Sequence, residues 1–153
     1  MVKYCSCYVL AIVFNWLLAS GVSACPADLP SLISALLPDL PNYLNRAYTR
    51  AGVTNRFVIT TNSPEFEPLP VVTEFPNQVH PQQVFVSVLE KPKGNHPPYT
   101  RAYWLFFSRV PATQWQLAMA FARVGNAPPT DVSDSTIATA VNTWLRDHCG
   151  DSF

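Results

Sequence analysis

The sequence predicts an α+β domain: N-terminal helices, an antiparallel sheet of four to five strands, and a C-terminal helix packed on one sheet face. Three observations carry that expectation. Apolar residues recur at helical spacing from Leu29 to Ala47, the period drops to two from Arg56 onward, and helical spacing returns from Ile137 to Leu145. Helices, then strands, then a helix describe a layered α+β architecture rather than the alternation of a parallel sheet.

Leu29, Leu32, Ile33, Leu36 and Leu37 occupy one face of a first helix, with Asp28 as its N-cap and Pro30 tolerated in the first turn. Pro38 interrupts it. Asp39-Leu40-Pro41 repeats Asp28-Leu29-Pro30, so a second helix is expected to start there. It turns Leu40, Tyr43, Leu44 and Ala47 inward and ends at Gly52, a C′ residue. Arg46 and Arg50, one turn apart near its C-terminus, read as solvated charges that favour the helix dipole.

Arg56 to Thr61 reads as a short strand. A proline-rich stretch from Pro64 to Pro81 follows, with a short strand expected at Val71 to Phe75. Gln83 to Lys91 is rich in β-branched residues, and Thr100 to Arg109 with Trp115 to Val124 make a central hairpin across a tight loop containing Pro111. Trp115, Leu117, Met119 and Phe121 alternate with Gln116, Ala118, Ala120 and Ala122, which favours a strand over the helix that Ala, Gln, Leu and Met would also suit. A four-residue loop would set Trp104 and Phe106 against Met119 and Leu117, and Tyr103, Leu105 and Phe107 over the alanines. One residue more or less would flip that pairing. Gly125 to Asp131 reads as a loop. Asp131, Ser133 or Asp134 is placed to cap a final helix with Ile137, Val141, Trp144 and Leu145 on its apolar face.

The first 24 residues have the parts of a secretory signal: Lys3, an apolar run from Tyr4 to Ser20, and the small residues Val22-Ser23-Ala24. Cys5 and Cys7 lie inside the run and read as apolar filler. Residues 25–153 then form a single α+β domain by length. Two cysteines remain, Cys25 and Cys149, and in an oxidising compartment they most simply form one disulfide. The rival reading is a lipobox with an acylated Cys25. Pro26-Ala27-Asp28 weighs against it, because it runs straight into a helix with no polar tether.

Without Lys3, nine Lys and Arg face ten Asp and Glu, a net charge of about −1. That leaves no electrostatic footprint for nucleic acid, and no basic run to hold an anionic membrane. Membrane contact is expected only through the signal segment or a lipidated Cys25. All fifteen prolines fall after the signal, where they stiffen loops of a chain otherwise apolar enough to pack a core.

Several stretches are similar to an uncharacterised family of exported cyanobacterial proteins. They are Cys25-Pro26-Ala27-Asp28-Leu29, Leu40-Pro41-Asn42-Tyr43-Leu44-Asn45-Arg46, Pro64-Glu65-Phe66-Glu67-Pro68-Leu69 and Gln82-Gln83-Val84-Phe85. Downstream come Tyr103-Trp104-Leu105-Phe106, Trp115-Gln116-Leu117-Ala118-Met119 and Thr143-Trp144-Leu145-Arg146-Asp147. The resemblance spans nearly the whole chain after the signal. It implies export from a photosynthetic bacterium and no particular activity.

Catalytic chemistry finds little footing. After the signal the chain has only His80, His96 and His148, the first two each before a proline. His148, Cys149, Cys25 and Asp151 match no zinc spacing, and a disulfide would consume both thiols. Neither metal nor cofactor is expected. Glu65 and Glu67 share a face if extended and would suit a carboxylate-dependent hydrolase. A proline-braced surface loop paired with Arg56 or Arg101 is the plainer reading. Five scattered glycines make no phosphate loop.

What remains is a surface argument. If Tyr103, Leu105 and Phe107 are left uncovered they form an apolar binding surface; if the segment from Ser63 to Gln82 folds over them they are core. The expected function is therefore an exported, non-catalytic binding or assembly module of the envelope or a lumen, with an envelope protein or small apolar ligand as partner. A cup for a small hydrophobic ligand is the alternative, and the hydrolase a weaker one.

Overall fold

The computed structural model describes residues 25–67, 81–109 and 114–150. The segment read as a signal (residues 1–24), the strand expected at Val71 to Phe75, His80, the Pro111 loop and Asp151 lie outside them. The elements are α1 (Leu29–Leu36), α2 (Leu40–Arg50), β1 (Arg56–Thr61), β2 (Gln82–Pro92), β3 (Tyr99–Arg109), β4 (Trp115–Val124), β5 (Thr130–Asp131) and α3 (Thr136–Cys149). The strands form one antiparallel sheet in the order β1-β2-β3-β4-β5, each paired with its sequence neighbours. Among the described residues no helix is long and apolar enough to cross a membrane.

Both N-terminal helices start and stop where the sequence places them. Asp28 accepts from the Ser31 N–H at 2.9 Å, and Gly52, at φ 71°, ends α2 with the Val53 N–H reaching the Tyr48 carbonyl at 2.9 Å. The repeated Asp-Leu-Pro is used differently the second time. Asp39 makes no cap bond to α2; its Oδ2 accepts instead from the Trp144 indole of α3 at 3.0 Å. The expected caps of α3 are also corrected. Ser135 holds the N-cap position, while the Asp131 carboxylate accepts from the Ser133 N–H and hydroxyl at 2.8 and 2.6 Å. The reason is that Gly125 to Asp131 is not all loop: β5 pairs with Ala122 and Phe121 and draws Asp131 into the sheet.

The central hairpin departs from the expected register by two compensating steps. Its pairing opens at Arg109↔Trp115, which makes the connection one residue longer than four; a bulge between Phe106 and Phe107 then adds a second residue. Trp104 therefore faces Phe121, and Phe106 faces Met119. Beyond the bulge the two shifts restore parity, so Met119 and Phe121 stay on the face of Trp104 and Phe106; before it Trp115 and Leu117 turn to the helix-side core with Phe107, which faces Leu117 rather than an alanine. Tyr103 and Leu105 do lie opposite Ala122 and Ala120.

All three helices cover one face of this sheet. Leu32, Ile33, Leu36, Leu40, Leu44, Ile137, Val141 and Trp144 pack with Val84, Val86, Val88, Leu105 and Phe107 in one core. Small Ala120 and Ala122 on β4 leave room for α3 to settle against that strand. Each fully buried aliphatic or aromatic side chain contributes roughly 1.5–3 kcal/mol. The opposite face carries a second cluster, in which Phe85, Met119 and Phe121 pack against buried Ala102, Trp104 and Phe106.

Side chains engage part of each sheet edge. On β1 the Asn45 side chain of α2 pairs with both backbone groups of Val58, accepting from its N–H at 2.7 Å and donating to its carbonyl at 2.9 Å. Beyond the two-residue β5, Ser133 Oγ accepts from the Ala120 N–H at 3.0 Å. At Val58 and Ala120 side chains thus take hydrogen bonds that an added strand would use.

Cys25 and Cys149 are joined, with Cα atoms 4.7 Å apart across a sequence separation of 124. Closing so long a loop stabilises by about 5 kcal/mol in the chain-entropy account.

Candidate functional site

Two polar clusters close the core at opposite ends, and they are the chemically richest places in the molecule. The first is centred on Glu90. The row Val84, Val86, Val88 and Glu90 alternates toward the helices, and Glu90 is buried as completely as the valines. Its carboxylate accepts from the Tyr48 hydroxyl of α2 and the Tyr99 hydroxyl of β3, each at 2.5 Å, and from Arg101 Nε at 3.0 Å. Arg56 Nε lies 3.5 Å away, an ionic contact whose N–H is not aimed for a hydrogen bond. The Arg56 guanidinium also sits 5.1 Å over the Tyr48 ring.

The electrostatics follow from these partners. Burial works to raise the Glu90 pKa, but the Tyr48 and Tyr99 hydroxyls and the Arg101 cation outweigh it, so the carboxyl titrates below its ordinary range. Burial pushes the Tyr48 and Tyr103 phenols upward, helped by the Glu90 charge. Burial opposes the Arg101 cation, yet Tyr99 and Glu90 more than compensate and hold it charged. This is a satisfied ion-pair network rather than a poised acid or base.

Register brings further cations to the same end of the sheet. Phe57 stands opposite Lys91, Arg56 opposite Pro92, and the Lys93 N–H bonds the Asn55 carbonyl at 2.8 Å. Arg101 pairs with Val124, and Ala102 with Arg123, whose guanidinium lies 5.3 Å over the Trp104 ring. Arg50 ends α2 just before the turn into β1. Phe57, Ile59 and Val124, at 43%, 45% and 39% exposure, stand among these charges as uncovered apolar side chains.

The second cluster joins α2 to α3 beside the disulfide. His148 stacks on Trp144 with ring centroids 4.5 Å apart, donates from Nδ1 to the Trp144 carbonyl at 3.0 Å, and points Nε2 at Asp39 from 3.7 Å. The Tyr43 hydroxyl donates to Asp147 at 3.1 Å, and Arg46 lies 4.2 Å over the Tyr43 ring. An open groove of about 660 Å³ runs along α2 past Asp39, Tyr43, Arg46 and Arg50. Trp115 fixes the N-terminal end by donating to the Pro26 carbonyl at 2.7 Å.

The residues singled out by sequence fall as follows. Tyr103, Leu105 and Phe107, the candidate binding surface, are 3%, 0% and 0% exposed. They are core beneath the helices, because the alanine-bearing face of the hairpin is the one that admits helices. The stretch from Ser63 to Glu67 does not cover them; it meets the sheet through a backbone bridge between Glu65 and Phe85. Glu65 and Glu67 are exposed, and the arginines expected to pair with them pair with Glu90 instead. His96 lies exposed in the β2–β3 turn. Among the described residues no group of three or more His, Cys, Asp or Glu is placed to hold a metal. Glu90 was the residue sequence reasoning missed, and its signal was there: a glutamate in the fourth place of a Val-x-Val-x-Val-x row.

No family model, no curated protein and no solved structure matches this chain.

Proposed function

We propose that the chain is an exported, disulfide-clasped domain that works by binding or assembly in the envelope or a lumen rather than by catalysis. The observation that carries this reading is the Cys25–Cys149 disulfide. Such bonds persist in oxidising compartments, and Cys25 immediately follows Val22-Ser23-Ala24 at the close of an apolar N-terminal run. The likeness of its motifs to an exported cyanobacterial family supports the same address. The sulfur that acylation of Cys25 would need is already bonded, which favours the clasp over the lipid anchor.

Intact mass of the native protein, reduced and unreduced, tests this. The expected species begins at Cys25 and gains two hydrogens on reduction. A chain that keeps residues 1–24, or a diacylglyceryl mass on Cys25, would overturn it. The ligand-cup and hydrolase alternatives have less support, since Leu105 and Phe107 are filled over by helices and Glu65 and Glu67 stand in solvent.

A further inference from the structure

The overall charge of about −1 conceals a segregation that only the fold creates. Arg50, Arg56, Lys91, Lys93, Arg101 and Arg123 are scattered over more than 70 positions. The strand register brings them to one end of the sheet. Among the described residues the carboxylate set among them is Glu90, already engaged by Tyr48, Tyr99 and two of the arginines. Six cations against one carboxylate leave a local excess of about five positive charges. Asp131, opposite Phe121 on the β4 edge, is turned to Ser133.

We infer that this end is a docking surface for an anionic lipid bilayer. Cations alone would suit any polyanion. Here Phe57, Ile59 and Val124 stand uncovered between them, and Phe57 is directly opposite exposed Lys91. Apolar side chains flanked by Lys and Arg suit an interface in which headgroups meet acyl chains; a polysaccharide or nucleic acid offers nothing for the apolar part to enter. An acidic peptide added as a strand would have to displace Asn45 from Val58 on β1 or Ser133 from Ala120 on β4. The disulfide lies at the other end of the sheet, where Trp115 holds Pro26, so the chain's N-terminus would face away from the bilayer.

The inference rests on the binding-module reading, and vesicle co-sedimentation tests it separately. Residues 25–150 carry every described helix and strand and the disulfide, so the 25–153 protein with its disulfide closed is the sample, its fold checked by circular dichroism. It should sediment with 1:1 phosphatidylglycerol:phosphatidylcholine vesicles at about 50 mM salt, stay in solution with phosphatidylcholine alone, and release as salt rises. Lys91→Gln/Lys93→Gln should weaken binding by about 25-fold, at about fivefold per cation removed. Phe57→Ser should weaken it severalfold, and Arg146→Gln, on α3, should leave it unchanged. Equal binding to neutral vesicles, indifference to the lysine pair, or no binding to anionic vesicles each overturns the inference. If inorganic phosphate raises the melting temperature of wild type but not of the lysine variant while vesicles stay unbound, the end is a small-anion site and the bilayer reading fails. Failure of export would show only in the N-terminal mass, and failure of docking only here.

Discussion

The two ends of the sheet close the same apolar core with opposite chemistry. At one end Cys25 and Cys149 are covalently joined, Trp115 holds the Pro26 carbonyl, and His148 stacks on Trp144. At the other a fully buried carboxylate is held by two tyrosines and two arginines. The first end stabilises chiefly by restricting the unfolded chain, and it responds to reductant. The second stabilises only as a complete set, since an ion left alone in a dry site costs more than the pair contributes. The comparison teaches that the disulfide makes one end answer to reductant, whereas the other answers to pH through Glu90.

The largest expected effect belongs to the clasp. Replacing both cysteines (Cys25→Ser/Cys149→Ser) should lower the unfolding free energy by about 4 kcal/mol in urea titrations. A loss below about 1 kcal/mol would mean that the helices hold the ends together unaided.

Next comes Glu90→Gln, with an expected loss of about 3 kcal/mol. Two arginines then lack their counter-charge, and partial exposure of both keeps the effect at the lower end of the range. The pH profile separates it from the clasp. Glu90 has a folded pKa below its unfolded value, so its contribution is present above the ordinary carboxylate range and is lost as pH falls through the folded pKa. Tyr48 and Tyr103 have raised values; their contribution is complete below the ordinary tyrosine range and is lost as pH rises through the folded values. Stability of the cysteine-free variant should therefore run parallel to wild type from acid to alkali, while Glu90→Gln flattens the acid limb. Parallel acid limbs for Glu90→Gln and wild type would break the comparison.

Tyr48→Phe should cost about 2 kcal/mol, because it removes a hydrogen bond to a buried charge and leaves the ring in place. Thermal melts of Tyr48→Phe and Glu90→Gln alone and combined should show strong non-additivity; simple addition would mean that the two do not form one network. Smallest of all is Arg146→Ala. Its pairing with Asp147 lies in solvent at 3.2 Å, and the change should stay within about 0.5 kcal/mol.

Legibility tracked the range of the interaction. Asp28 at the start of α1 and Gly52 at the end of α2 are local signals, and each stands where the spacing put it; the alternation of β4 marks a strand, but the bulge puts Trp115 and Leu117 on the opposite face from Met119 and Phe121. Ser135 displaced the expected caps of α3 because β5 took Asp131 into a pairing that local propensity does not register. Trp104 met Phe121 rather than Met119 because a longer connection and a bulge acted together, and neither is encoded in the alternation itself. Tyr103, Leu105 and Phe107 were recognisable as one face, but which face the helices would take depended on the alanines across the hairpin. Glu90 was visible as an interruption of a valine row, while its partners come from three other elements.

By itself, the sequence determined the kinds and order of the described elements other than β5, and the two cysteines left to bridge the domain's ends. Periodicity, caps and turn residues act over a few positions, so they are written in adjacent residues. Tertiary structure alone decided the hairpin register, the buried face and the placement of Arg50, Arg56, Lys91, Lys93, Arg101 and Arg123 at one end of the sheet. Those outcomes rest on contacts between residues tens of positions apart, where pairing geometry and burial rather than local preference set the energy.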